Sequence, residues 1–207
     1  MEKRGREDAG IKRRGEDTMP HPVWEIQGSN MPTNVEIKAV VADLPALRKR
    51  VERLSGTPGE GIYQEDTFFV IPHGRLKLRV LFPDHGELIY YERSDTCDPK
   101  PSHYLISRTL DPASLLDLLA ASLGIAGHVR KRRTLYMIGN TRVHLDEVEH
   151  LGTYMELEVV LAAGESTEDG EEIARKLMDE LHIDPSDLVR EAYVDLINAI
   201  EKAETRR

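Results

Sequence analysis

A single cysteine, Cys97, stands among the 207 residues. No internal disulfide can form, so nothing marks the chain for an oxidising compartment, and a reducing cytoplasm is the default location. Cys97 precedes Asp98-Pro99 and reads as a loop thiol. Long apolar runs are missing too: none approaches the about 18 residues that span a bilayer. Neither a His-Glu-x-x-His motif nor paired cysteines occur, which argues against zinc. The glycine-rich stretch Gly56 to Gly61 lacks the Gly-Lys-Ser/Thr ending of a phosphate loop. Excess positive charge is also absent. The net charge is −9, which does not invite nucleic acid or an anionic membrane as a bulk partner. An anionic ligand would have to be held by a local basic site.

Residues 1–33 are rich in Lys, Arg, Glu, Asp, Gly and Pro and contain no hydrophobic segment. They read as a disordered charged tail rather than a secretory signal, with Lys12-Arg13-Arg14 as a solvated run. From Asn34 to the end, at 207, the pattern is that of one domain. Val35 to Val41 alternates as a strand, and Asp43 caps a helix whose apolar stripe is Leu44, Leu47, Val51 and Leu54. Strand patterns follow over 63–71, 75–81, 87–94 and 102–109, separated by short turns, which makes neighbouring strands antiparallel. Asp111-Pro112 opens a helix with Leu115, Leu116, Leu119 and Leu123 inward, and Gly124 ends it. Strands are expected again over 129–137, 142–148 and 153–161, then helices over about 168–182 and 187–203. The last stripe runs Leu188, Ala192, Tyr193, Leu196, Ile200. The expected class is α+β: a closed antiparallel barrel of about eight strands with helices packed outside.

Several strands carry charge on one face and hydrocarbon on the other, because side chains alternate. Arg75, Lys77 and Arg79 oppose Leu76, Leu78 and Val80. Glu156 and Glu158 oppose Met155, Leu157, Val159 and Leu161. Glu36 and Lys38 oppose Val35, Ile37 and Ala39, and Arg142, His144 and Asp146 oppose Val143 and Leu145. A sheet with one wet face produces the same alternation. Two features favour an interior instead: acids and bases are segregated onto different strands, and the amphipathic helices need apolar partners outside. A charged interior suits a polyphosphate, since Lys and Arg grip its oxygens and clustered carboxylates hold Mg²⁺ or Mn²⁺. His144 shares a face with Asp146 and reads first as a hydrogen-bonded structural histidine.

The segment Asn34-Val-Glu36-Ile-Lys38 resembles the Glu-x-Glu-x-Lys signature of the CYTH family, the triphosphate tunnel metalloenzymes. The likeness continues through Gln64-Glu-Asp66-Thr67-Phe-Phe69, Gly74-Arg75-Leu-Lys77-Leu-Arg79, Tyr91-Glu92-Arg93 and Val129-Arg-Lys131-Arg-Arg133. It ends with His144-Leu-Asp146, Gly152-Thr-Tyr-Met-Glu156-Leu-Glu158 and Tyr193-Val-Asp-Leu196. It covers about residues 34–200 in family order and is most similar to the class IV adenylyl cyclase branch. The resemblance implies an eight-stranded tunnel, a divalent metal and a triphosphate substrate. It implies Glu36, Glu156 and Glu158 as metal ligands. Lys38, Arg75, Lys77, Arg79, Arg93, Lys131, Arg133 and Arg142 are implied as phosphate-gripping groups. Lys38, Arg133 and Asp146 would stand nearest the chemistry. The signature's first Glu is Asn34 here, whose amide oxygen can ligate a metal without bringing charge.

The resemblance leaves three activities open. A lyase would turn ATP into cyclic AMP and pyrophosphate. A triphosphatase would hydrolyse tripolyphosphate, thiamine triphosphate or a nucleotide. A third reading is a module that binds such a ligand without turnover. Both reactions rest on positioning and electrostatics, so the residues that hold phosphate and metal do not choose the nucleophile. The run Arg130-Lys-Arg-Arg133 reads as a solvated face rather than a nucleic-acid site, because alternation along a strand divides it two and two. A monomer and a homodimer are both compatible with the chain.

Overall fold

The computed structural model describes residues 33–81, 84–93, 99–162 and 164–206. The expected charged tail therefore lies outside the described residues, as do Cys97 and Arg207, except that Thr33 already belongs to the first strand. In chain order the strands are β1 (Thr33–Val40), β2 (Glu60–Phe69), β3 (Arg75–Leu81), β4 (His85–Arg93), β5 (Lys100–Thr109), β6 (Ile125–Ile138), β7 (Thr141–Val148) and β8 (Gly152–Val160). The helices are α1 (Leu44–Ser55), α2 (Pro112–Leu123), α3 (Thr167–Leu181) and α4 (Tyr193–Thr205). Every strand pairing is antiparallel, and the order β1-β5-β4-β3-β2-β6-β7-β8 closes on itself as a barrel. Closure leaves no sheet edge along the paired stretches, so the backbone polar groups there satisfy one another.

Local sequence explains the helix starts. Asp43 accepts from the Ala46 N–H at 2.9 Å and Asp111 from the Ser114 N–H at 3.1 Å, each with proline at the start of its helix. Ser166 and Asp169 bond reciprocally at the start of α3. Such caps satisfy backbone donors that a helix leaves open. Gly56 closes α1 in the left-handed region, φ 70°, where a Cβ would be strained.

The hydrocarbon faces of the strands point outward, as the need to cover the helices suggested. Ile37, Ala39, Val143, Leu145, Met155 and Leu157 pack with Leu47 and Val51 of α1 and Leu177, Met178 and Leu181 of α3. Burial of each valine, leucine, isoleucine or methionine side chain among these stabilises the fold by about 1.5–3 kcal/mol. The fit is close at Gly170, where a Cβ would lie 2.7 Å from both Val35 Cγ2 and Leu161 Cδ2, so α3 lies flush on β1. By contrast α2 buries no residue fully, and its leucines are only half covered or exposed.

The C-terminal helix differs from the expectation. Residues 187–203 are not one helix. A short 3₁₀ turn covers Pro185–Asp187, an extended pass follows, and α4 begins only at Tyr193. The pass is held by the barrel: Val189 N–H donates to the Lys38 carbonyl at 2.9 Å, and Leu188 bridges to Ala39. Tertiary backbone pairing here outweighs helical periodicity. Three expected stripe residues also end on the outside: Leu54 at 38%, Leu123 at 37% and Ile200 at 40% exposure.

Candidate functional site

The inward faces line a cavity of about 320 Å³. Its wall includes Glu36 and Lys38 of β1, Lys77 and Arg79 of β3, Lys131 and Arg133 of β6, Arg142 and His144 of β7, and Glu156 and Glu158 of β8. These are the charged faces that alternation separated from hydrocarbon. The basic run on β6 divides as expected: Lys131 and Arg133 are buried, Arg130 and Arg132 exposed.

Cross-strand register sets the chemistry. Arg133 faces Asp146 across β6–β7, Arg142 faces Glu158 across β7–β8, and Lys38 faces Glu156 across β1–β8. Arg133 Nε donates to Asp146 Oδ1 at 2.7 Å, while its Nη2 donates to Asp146 Oδ2 at 2.6 Å and Glu156 Oε2 at 2.5 Å. Lys131 Nζ donates to Asp146 Oδ2 at 2.9 Å, and the Tyr193 hydroxyl to the same oxygen at 3.1 Å. Arg142 Nε donates to Glu158 Oε2 at 2.8 Å. Burial alone would raise the Asp146 carboxyl, but Lys131 and Arg133 outweigh it and hold the group well below the ordinary aspartate range.

Asp146 is fully buried and lies just behind the cavity lining, where it accepts from Lys131, Arg133 and Tyr193 and so braces the two cations that line it. Arg75, at the end of β3, is not among the lining residues, and its Nη2 lies 2.8 Å from Oδ2 of Asp195 in α4. The Arg93 side chain lies outside the described residues.

His144, Glu156 and Glu158 form a group whose potential ligand atoms all lie within 4.8 Å of one another. His144 Nδ1 is buried without a hydrogen-bond partner, 3.5 Å from Glu158 Oε1 and 3.9 Å from Glu156 Oε2. Burial first, then Arg133, lowers the pKa of His144 and favours the neutral ring that can offer a lone pair. Burial would raise both glutamates. The cations Lys131 and Arg133 counter it at Glu156, and Arg133 and Arg142 at Glu158, so both stay ionised. An orphaned buried nitrogen beside two carboxylates fits a divalent cation, and the oxygen-rich set suits Mg²⁺ or Mn²⁺. Glu36 lines the same cavity and faces Glu158 across the β1–β8 pair.

Residues that pattern reading passed over complete the site. Asp66 of β2 is 4% exposed and accepts from both Lys77 and Arg79. Tyr193 lies at the cavity wall with Lys38 Nζ 4.2 Å and Lys131 Nζ 4.9 Å from its ring centre. Lys38 Nζ also donates to the Glu191 carbonyl at 2.6 Å, which ties the pass before α4 to β1. Gln64, Ser102, Tyr91, Tyr104 and the apolar Ile62, Ile106 and Leu135 are also among the lining residues. Asn34 is 2% exposed with an unpartnered Oδ1. A polar or aromatic residue at an inward strand position was the available signal for Gln64, Asp66, Tyr91, Ser102 and Tyr104, whereas Tyr193 opens a helix and gave no such signal.

The CYTH domain family model matches residues 32–193. This chain belongs to the CYTH domain family. Solved structures repeat the CYTH barrel. The PH1012 protein of Pyrococcus horikoshii OT3 is similar with a TM-score of 0.71 at 24% identity, covering 79% of this chain and 98% of that one. A candidate adenylate cyclase of Vibrio parahaemolyticus gives 0.64 at 17%, covering 80% and 97%. HpAC1 of Hippeastrum, a candidate adenylyl cyclase with a dominant triphosphatase activity, gives 0.56 at 16%, covering 82% and 96%. At these identities the likeness is one of fold. No curated protein sequence matches.

Proposed function

We propose that this CYTH barrel is a divalent-metal-dependent enzyme that grips a triphosphate in its tunnel and catalyses attack at phosphorus. One observation carries the reading: Lys38, Lys77, Arg79, Lys131 and Arg133 face one cavity together with the His144–Glu156–Glu158 group. Desolvating a cation costs several kcal/mol; Asp66 and Asp146 each offset only one charge of the Lys–Arg pair they hold, and the positive charge left over, with Lys38, suits a polyanion. Glu156 and Glu158, with His144 beside them and Glu36 across from Glu158, would hold Mg²⁺ or Mn²⁺. That metal, when bound, supplies charge neutralisation at the phosphate oxygens. The five cations orient the phosphates and stabilise charge on the leaving group. Arg142 extends this grip beside Glu158.

The favoured reaction is that of a class IV adenylyl cyclase. The ribose 3′-oxygen bonds to the α-phosphorus, the α–β phosphoanhydride bond breaks, pyrophosphate leaves, and the hydroxyl proton passes to solvent. The apolar stretch of Ile62, Ile106 and Leu135 with Tyr104 supports it, since a nucleobase uses such a wall and inorganic polyphosphate does not. The second reading is a triphosphatase, in which water attacks the terminal phosphorus. It is supported by the saturated Asp146, which leaves no paired base for a ribose hydroxyl, and by the activity named for HpAC1. Among the described residues no helix is long and apolar enough to cross a membrane. With a single cysteine, the reading places the enzyme in a reducing cytoplasm.

Incubation of the full chain with Mg²⁺ or Mn²⁺ and, separately, ATP, tripolyphosphate and thiamine triphosphate tests this, with products read by phosphorus NMR. Cyclic AMP with pyrophosphate identifies the lyase. Orthophosphate identifies the triphosphatase. Metal-dependent binding of all three without product overturns the enzyme reading in favour of a binding module.

A further inference from the structure

Two clusters in the barrel wall repeat one another atom for atom. On β3 and β2, Lys77 Nζ donates to Asp66 Oδ2 at 2.9 Å, Arg79 Nε to Asp66 Oδ1 at 2.8 Å, and Arg79 Nη2 to Asp66 Oδ2 at 2.9 Å. On β6 and β7, Lys131, Arg133 and Asp146 make the same three bonds, at 2.9, 2.7 and 2.6 Å. In both, arginine and aspartate are direct cross-strand partners, and lysine stands two residues before arginine on one strand. The barrel order β3-β2-β6-β7 makes the second cluster a copy of the first, displaced by two strands. Each cluster takes one carboxylate and two cations and keeps a net positive charge.

We propose that Asp66 is a positioning residue, which ties Lys77 and Arg79 into one clamp matched to the Asp146 clamp, so that the tunnel holds its ligand's phosphates between two equivalent units. The inference rests on the triphosphate reading above. Lys77 and Arg79 lie two apart on a strand and repel, and a shared carboxylate offsets that repulsion while fixing both side chains before a ligand arrives.

The two clamps differ in their surroundings. Asp146 is backed by Tyr193, and Arg133 is also bonded to Glu156. Among the described residues, Lys77 and Arg79 bond no carboxylate other than Asp66. Lys77 instead faces Asp66 of β2, Arg79 of its own strand and Lys131 of β6, with the Phe68 and Tyr91 ring centres 5.6 and 5.7 Å from Nζ. Burial first, then Arg79, lowers Lys77 to about 8 against the pull of Asp66. Asp66 therefore keeps Lys77 charged near neutral pH, and its removal strips the clamp of one cation there.

Calorimetric titration of the full chain with inorganic tripolyphosphate in Mg²⁺ buffer, across pH 6 to 9, tests this. Titration of the ligand itself is common to all variants and cancels in affinity ratios. Wild-type affinity should step down as pH rises past about 8, following Lys77. Asp66→Asn should move that step to lower pH by about 1–3 units, each unit a tenfold change in the affinity ratio between the two midpoints. Lys77→Arg should bind throughout and lose the step, because a guanidinium stays charged; this variant leaves Asp66 untouched and serves if Asp66→Asn does not fold. A pH-independent loss in Asp66→Asn, or a step that survives in Lys77→Arg, overturns the positioning role. No wild-type binding at any pH sinks the triphosphate reading itself.

Discussion

The two halves of the barrel wall are built differently. The half made of β1, β7 and β8 is sealed on its outer face: Val35, Ala39, Val143, Met155, Leu157 and Val159 are 0% exposed beneath α1 and α3. The half made of β3, β4 and β5 is covered mainly by α2, which buries none of its own residues fully, and Leu105 on the outer face is 42% exposed. The sealed half presents the acids and histidine Glu36, His144, Glu156 and Glu158, with Lys38 and Arg142 beside them. The lightly covered half presents Lys77 and Arg79 with Ile89, Tyr91, Tyr104 and Ile106. Rigid packing fixes ligand atoms, which a metal demands to within tenths of an ångström. Long cationic side chains on a less constrained wall tolerate a polyanion of varying shape. On the proposed function, the covering helices α1 and α3 back the strands that carry the candidate metal group.

The largest expected effect breaks the sealed half. Leu157→Ala should destabilise the fold by about 2–5 kcal/mol, through lost transfer energy and a cavity beneath α3, read by denaturant unfolding. Next, Glu158→Gln should take metal-dependent turnover down by about 10²–10³-fold while the unfolding midpoint stays near wild type; turnover at the wild-type rate would remove Glu158 from the metal site. On the lightly covered half, Lys77→Ala should weaken tripolyphosphate binding by about 1.5–3 kcal/mol, the worth of a charged hydrogen bond, with unchanged calorimetric affinity as the opposing result.

A pH experiment sharpens the comparison further. Burial would raise Asp66 and Asp146, but their cations hold both well below the ordinary aspartate value of about 3.9. A depressed carboxyl contributes its full stability above the unfolded-state pKa and loses it as pH falls. Unfolding free energy should therefore decline from about pH 5 downward, and Asp146→Asn should flatten that slope. The smallest effect belongs to α2: Leu118→Ser, at a side chain 64% exposed, should change stability by less than about 0.5 kcal/mol.

Much of the barrel was legible. Arg75–Leu81 alternates strictly and forms a strand over those very residues, and Asp111, Pro112 and Gly124 bound α2 as their chemistry requires. The division of Arg130 to Arg133 into two inward and two outward side chains also followed from period two. The site was legible as a set of inward positions and less so as partnerships. Asp146 was legible as an inward acid, but its pairing with Arg133 directly opposite comes from register, which no local pattern carries. Asp66 was quoted only as part of a resemblance, because nothing local ties residue 66 to 77 and 79. The start of α4 was misplaced, since Leu188 and Val189 obey contacts with β1 at residues 38 and 39 that no local pattern carries.

Residue type and alternation by themselves determined which faces are charged, where chains turn, how helices are capped and which side of each strand must meet hydrocarbon. These depend on neighbours a few positions apart, where backbone sterics and periodicity act alone. Only the closed sheet decided which acid meets which base, that His144 joins two glutamates, and that Asp66 and Asp146 head matched clamps. Those outcomes follow from interstrand register, and a slip of one residue would turn every one of these side chains to the opposite face.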